Sequence, residues 1–190
     1  AKAFDVKFTS DKGSLDYVWA TSWGVSTRLI GALIMTHSDN KGLVLPPNLA
    51  PYQVVIVPIY KGAEQQKQVA HLALKIKLLL EERNIRVKFD NRDKFKPGFK
   101  FNEYELKGVP IRIAIGPNDL KKGSVEIARR DNLSKTTISQ EEVVSYIDFH
   151  LKEMQLALFD KAKSFRKQKI TTVDNFEDIK KILNKKGGFI

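Results

Sequence analysis

The sequence predicts an α/β fold, a mixed and mainly parallel sheet flanked by helices, and three observations carry that expectation. Val54 to Ile59 is an unbroken apolar run, the mark of a strand covered on both faces. Val69, Leu72, Ala73, Ile76, Leu79 and Leu80 then recur at helical spacing. Further strand-like and helix-like stretches go on alternating after them, which is the order that builds a covered sheet.

Taken in order, the elements begin with a hairpin. Phe4 to Phe8 and Leu15 to Trp19 alternate apolar and polar residues, and Asp11-Lys12-Gly13 supplies the turn. A helix is expected from about Ser26 to His37, with Leu29, Leu33 and Met35 among its apolar positions. Pro46, Pro47 and Pro51 forbid regular continuation and mark a boundary. After the Val54 strand, residues 63 to 83 read as a helix, Ile85 to Phe89 as a strand and Ile111 to Ile115 as a third strand. Gly116-Pro117-Asn118-Asp119 turns the chain, and Ser124 to Ala128 returns as a fourth strand. Ser139 followed by Glu142 reads as a capping box. It opens a long helix with Val143, Ile147, Leu151, Met154 and Leu158 on one face. Asp174 with Glu177 repeats the device ahead of Ile179, Ile182 and Leu183.

The 190 residues suffice for one well-cored domain with extra pieces. No apolar run approaches a membrane span, and the charged start Ala1-Lys2-Ala3-Phe4-Asp5 is unlike a signal peptide. Cysteine is absent, so disulfides and thiolate metal sites are excluded within the sequence, and a cytoplasmic setting is expected. A net charge of +11 favours a polyanionic partner, nucleic acid ahead of a membrane surface. The charge is concentrated: Arg83 to Arg112 holds nine basic residues against four acidic ones. Phe95, Phe99, Phe101 and Tyr104 are interleaved with them, so phosphate attraction and stacking surfaces occur together, as single-stranded RNA requires. The three histidines form no cluster. No Ser-His-Asp arrangement, metal-ligand spacing or phosphate-binding glycine loop is present in the sequence.

The string Thr21-Ser22-Trp23-Gly24-Val25-Ser26-Thr27-Arg28, with Leu43-Val44-Leu45-Pro46-Pro47 and Gln53-Val54-Val55-Ile56-Val57-Pro58, resembles the prolyl-tRNA synthetases of archaeal and eukaryotic type. There it joins the third signature motif of the class II catalytic core to the anticodon-binding domain. The resemblance implies three parts: residues 1–47 as the C-terminal remnant of the catalytic core, 48–155 as the anticodon-binding domain, and 156–190 as the start of a C-terminal extension. It also implies a parent enzyme, a homodimer that joins proline to its tRNA with ATP and magnesium. By the same resemblance Arg28 holds ATP, aided by Ser26 and Thr27, while Trp23 and Gly24 border the proline pocket. An arginine suits that role because its planar cation can stack on a purine and donate to phosphate. One arginine cannot supply the several cations and the metal that adenylate formation needs. The chain, which does not begin with Met, is therefore expected to be a catalytically incomplete fragment with no cofactor or metal bound.

The segment from Lys96 to Arg112 resembles the family's anticodon-reading segment. Proline anticodons share two adjacent guanines, whose edges offer donors to a carboxylate and acceptors to Arg or Lys. Position by position the resemblance implies that Glu105 accepts from a guanine, Arg112 and Lys135 donate, and Phe101 stacks. The alternatives are Phe101 in the core and Glu105 paired with Lys107 or Arg112. Arg129, Arg130, Lys96 and Lys100 are expected at the RNA backbone. A free-standing anticodon-domain homologue acting as an RNA-binding regulator is the competing reading of the whole chain.

Overall fold

The computed structural model describes residues 1–185 and 187–190. They fall into two compact units, Ala1–Ala32 and Leu33–Ile190. The first unit holds a short antiparallel hairpin, β1 (Lys7–Thr9) and β2 (Leu15–Tyr17), and the first turn of α1 (Arg28–His37). The strands are shorter than the alternating pattern predicts, and α1 begins at Arg28 rather than Ser26. Phe4, Trp19 and Trp23 are exposed in this unit, Trp19 at 99%.

The second unit is built on a five-stranded sheet in the order β4-β3-β5-β6-β7. Its strands are β3 (Val54–Pro58), β4 (Val87–Phe89), β5 (Ile111–Ile115), β6 (Ser124–Arg129) and β7 (Lys135–Ser139). β4 and β5 flank β3 in parallel, β6 runs antiparallel to β5, and β7 antiparallel to β6. The sheet is thus mixed, as expected, with β6 alone reversed. The alternation along β3 divides its residues between two cores. Val54 and Ile56 pack with β5 and β6 against α2 (Ala63–Glu81) and α5 (Val143–Lys169). Val55 and Val57 pack on the other face against Tyr104 and Val109, with Phe101 at the margin. Every residue of β3 is buried, which is why its sequence is a continuous apolar run.

Two elements escape the sequence pattern. α3 (Pro97–Leu106) is a ten-residue helix that buries Lys100 and Tyr104. Pro97 suits its first turn, where the missing N–H leaves no bond unmade. β7 (Lys135–Ser139) is a mostly exposed edge strand. The segment after Gly116 is a short helix, α4 (Pro117–Lys122), in which the Asp119 carboxylate accepts the Gly116 N–H at 2.7 Å. Neither predicted capping box forms as written. α5 starts after a turn at Glu142 with no side-chain cap. At α6 (Phe176–Lys185) the reciprocal pair is Asn175 and Asp178, one residue later than Asp174 and Glu177. α5 crosses residue 155 without a break and still buries Leu158. Lys186, one of the basic residues near the end, lies outside the described residues.

Candidate nucleic-acid interface

Phe101, Glu105, Arg112 and Lys135 come from three elements and line one open pocket of about 180 Å³. Phe101 and Glu105 are one helical turn apart on α3, so they share a face. Arg112 is the second residue of β5, and Lys135 opens β7 opposite Ala128 of β6. The Arg112 guanidinium lies over the Phe101 ring at 3.6 Å from its centroid and reaches the Glu126 carboxylate at 3.5 Å. Burial pushes the Arg112 pKa down, with Glu126 and then Glu105 working the other way. Phe101 is only half-buried, so it joins the core at one edge and the pocket at the other. Glu105 is paired with neither Lys107 nor Arg112; its nearest cation among the described residues is Lys41, at 3.9 Å. The pocket therefore offers a carboxylate, the fixed Arg112 guanidinium, the Lys41 and Lys135 ammonium groups and an aromatic surface within one volume.

The wall behind Glu105 is a strap of chain from Asp39 to Leu45. α3 ends in a Schellman motif: Val109 N–H donates to Tyr104 O and Gly108 N–H to Glu105 O, each at 3.1 Å. Gly108 takes the required left-handed conformation, with φ of 70°. The strap docks on this terminus through Leu43 N–H to Leu106 O at 3.0 Å and Leu45 N–H to Gly108 O at 3.4 Å. A Cβ on Gly108 would lie 2.6 Å from Leu43 O, so the docking needs glycine. Arg130 locks the arrangement. Its guanidinium donates to both Asp39 oxygens, at 2.6 and 2.8 Å, to Gly42 O at 3.1 Å and to Glu105 O at 3.0 Å. The Arg130 bonds hold the Asp39 pKa down to about 2.

Three of the expected RNA-backbone residues are corrected by these contacts. Arg130 is 4% exposed and committed to the strap. Arg129, at 8%, is paired with Asp131 at 2.8 Å and Glu153 at 2.8 Å. Lys100 is 3% exposed and donates to the Asp90 carbonyl at 3.0 Å, with the Asp90 carboxylate at 3.6 Å. Arginine and lysine are buried only when paired, and these three shape the pocket and its foundations instead of presenting charge to a phosphate. Lys96, by contrast, is exposed at the opposite end of α3.

Two pocket residues carried no sequence signal. Lys41 sits in a polar stretch whose docking depends on distant Arg130. Leu133 holds a left-handed φ of 60° in the turn between β6 and β7 and is 42% exposed. A leucine in that conformation is strained, and strain of this kind gathers at functional sites. Tyr104, at the base, is held neutral: burial, reinforced by Asp90, pushes its pKa up to about 12.

In the first unit Ser26 and Thr27 lead into Arg28, the first residue of α1, and all three are exposed, as are Trp23 and Gly24. A Cβ on Gly24 would meet nothing within 4 Å, so no neighbour among the described residues requires glycine there. One guanidinium and two hydroxyls fit a contribution to a nucleotide site, and the described residues do not enclose one. Among them, no three His, Asp or Glu side chains gather as metal ligands, and no helix is long and apolar enough to cross a membrane.

A mixed sheet carries a basic, aromatic pocket at the end of α3, and comparison with known proteins identifies the family of this domain. The chain belongs to the anticodon binding domain family, whose model matches residues 53–150. Within that family its similarity is to proline–tRNA ligases. It is 60% identical over all 190 residues to that of Christiangramia forsetii, of which it covers 39%, and 52% identical to that of Bacteroides fragilis, of which it covers 38%. Among solved structures, prolyl-tRNA synthetase from Cryptosporidium parvum complexed with L-proline and AMP matches with a TM-score of 0.84 at 44% identity. That match covers 96% of this chain and 39% of the other. The chain thus spans about two fifths of the length of these relatives.

Proposed function

We propose that this chain reads the anticodon of a proline tRNA at the pocket between α3, β5 and β7. The observation that carries the reading is the convergence of Phe101, Glu105, Arg112 and Lys135 on one volume. The Glu105 carboxylate accepts from the N1 and N2 protons of a guanine. Arg112 and Lys135 donate to guanine O6 and N7, and Phe101, backed by the Arg112 guanidinium, stacks. Lys96 contacts the RNA backbone beyond the pocket.

The test is binding of a proline anticodon stem-loop beside one with both shared guanines changed to adenine, at two salt concentrations. Each lost guanine contact should cost about 1–3 kcal/mol. A preference for the guanines that persists at the higher salt supports the reading. Equal binding to both loops, weakening together with salt, refutes it, because only phosphate attraction behaves so.

The protein to which this region belongs is proposed to ligate proline to that tRNA with ATP, as a cytoplasmic homodimer. In it, residues 1–47 form part of the class II catalytic core and residues 156–190 lead into a C-terminal extension. Arg28, Ser26 and Thr27 contact ATP, and Trp23 and Gly24 border proline. Magnesium neutralises the phosphates in that chemistry, and no residue of this chain is assigned to hold it.

A further inference from the structure

The basic, aromatic segment continues past the anticodon pocket to the other end of α3, where a second surface stands apart. Phe95 and Phe99 stack on each other there, with ring centroids 4.7 Å apart and planes within 15°. They remain 39% and 52% exposed. The Arg92 guanidinium covers Phe95 at 4.9 Å from the ring centroid. Arg92 is itself pinned by Asp90 at 2.7 Å and Glu103 at 2.5 Å, so the rings are held in place from beneath. The adjoining cavity, about 400 Å³, is lined by Tyr60, Asp93, Lys94, Lys96 and Lys100 as well as Arg92 and Phe95. Lys94 and Lys96 are exposed and form no ion pair among the described residues. Asp93 is the acid on the rim, and its carboxylate is occupied by the Tyr60 hydroxyl.

We infer that Phe95 and Phe99, with Lys94 and Lys96, form a second nucleotide site, a stacking platform for one unpaired base of the RNA outside the anticodon. A base meets an aromatic pair without a hydrogen-bonding edge to read, so the platform adds affinity without choosing sequence. The two free ammonium groups take the phosphates on either side of that base. The chemistry fits an RNA strand better than an acidic protein, because a π-surface beside unpaired lysines serves a base and its phosphate together.

The spacing agrees with one continuous strand. Phe99 and Glu105 lie six residues apart on α3, about 9 Å along the axis at 1.5 Å per residue. That distance is the rise of two or three stacked nucleotides at about 3.4 Å each. A strand seated in the anticodon pocket therefore arrives at the platform after a short run of nucleotides, guided by a single rigid helix. This inference rests on the assignment of the pocket to the anticodon.

The experiment compares the whole chain with a Phe95→Leu/Phe99→Leu variant, which keeps apolar packing and removes the stacking faces. Three stem-loops are titrated: the proline anticodon loop, the loop with both guanines changed to adenine, and the loop with abasic residues outside the anticodon. The parent should bind the abasic loop about tenfold or more weakly than the intact one, the worth of one stacked base. The variant should bind the intact loop about that much more weakly than the parent, lose little further on the abasic loop, and keep its guanine-over-adenine ratio. A melting temperature equal to the parent's establishes that the variant is folded; if it is lowered, the Phe99→Leu single variant is read in the same way. Equal affinity of parent and variant for the intact loop overturns the platform, and so does an equal abasic loss in both. In either case the surface serves a protein partner or none. Absence of guanine preference in the parent sinks the anticodon reading instead, and the abasic comparison still reports on the platform.

Discussion

Gly108→Ala tests the strap that walls the pocket behind Glu105, and Gly123→Ala supplies its control. Both glycines end a helix in the left-handed conformation, at φ of 70° and 63°. They differ in surroundings. A Cβ at Gly123 meets nothing within 4 Å, whereas at Gly108 it meets Leu43 O at 2.6 Å and Leu43 C at 2.7 Å, both backbone atoms. Gly123→Ala should therefore cost only the conformational penalty, about 1 kcal/mol. Gly108→Ala carries that penalty and pushes the strap away. It loses the Leu43-to-Leu106 and Leu45-to-Gly108 hydrogen bonds at about 1 kcal/mol each. The total is about 3 kcal/mol, before any loosening of the Asp39–Arg130 pair is counted. For a domain of this size, thermal melting followed by circular dichroism should show a drop of about 2–4 °C for Gly123→Ala and roughly three times that for Gly108→Ala. Equal drops for the two variants would refute the docking of the strap, since the penalty they share would then account for both.

Three more expectations follow from the same geometry. Asp90 has a fully buried side chain. Burial resists its ionisation, but Arg92 and Lys100 outweigh that and hold its pKa down from 3.8 to about 2. Its folded pKa lies below the unfolded one, so its contribution of about 2 kcal/mol is complete above pH 4 and is lost as pH falls towards 2. Denaturant titrations of Asp90→Asn should show a flatter dependence across that window, and an unchanged slope would contradict the network. Lys100→Met should lower stability by about 2 kcal/mol, because it withdraws a partner from a buried carboxylate, yet leave RNA affinity at low temperature unchanged. A selective loss of RNA binding with no loss of stability would restore Lys100 to the RNA backbone. Leu133→Gly relieves a strained φ, so stability should stay within about 1 kcal/mol of the parent despite the deleted side chain, while binding of the guanine loop weakens. A larger destabilisation with RNA affinity intact would make Leu133 a structural residue.

The legible parts of the fold were those that bury a regular apolar pattern. β3 and β5 read as strands because Val54 to Val57 and Ile111 to Ile115 are covered on both faces. α2 read as a helix because its buried face, Val69, Ala73, Ile76 and Leu80, keeps strict helical spacing. α3 was hidden because one of its two core positions is a lysine. Lys100 is buried through Asp90, the residue after β4, and no local pattern can announce that partnership. β7 was missed because an edge strand with one half-buried residue, Ile138, need not alternate in hydrophobicity. The four candidate anticodon residues came from resemblance, and the structure gathers them. Arg129 and Arg130 were misplaced for a different reason. A basic pair at a strand end reads as free charge until Asp39 and Glu153, far away in sequence, are brought to it.

The setting of Arg112 bears on how long a ligand stays. Its guanidinium is already oriented by the Phe101 ring and Glu126 before any RNA arrives, so little side-chain freedom remains to be lost at the moment of contact. On the proposed anticodon reading, arrival depends on the general positive field of the domain, which acts alike on every RNA loop. Matched and mismatched loops should therefore associate at similar speeds. Discrimination then falls on departure: a guanine that satisfies the fixed donor is held, and an adenine leaves quickly. A reader built on so fixed a donor would select by residence time.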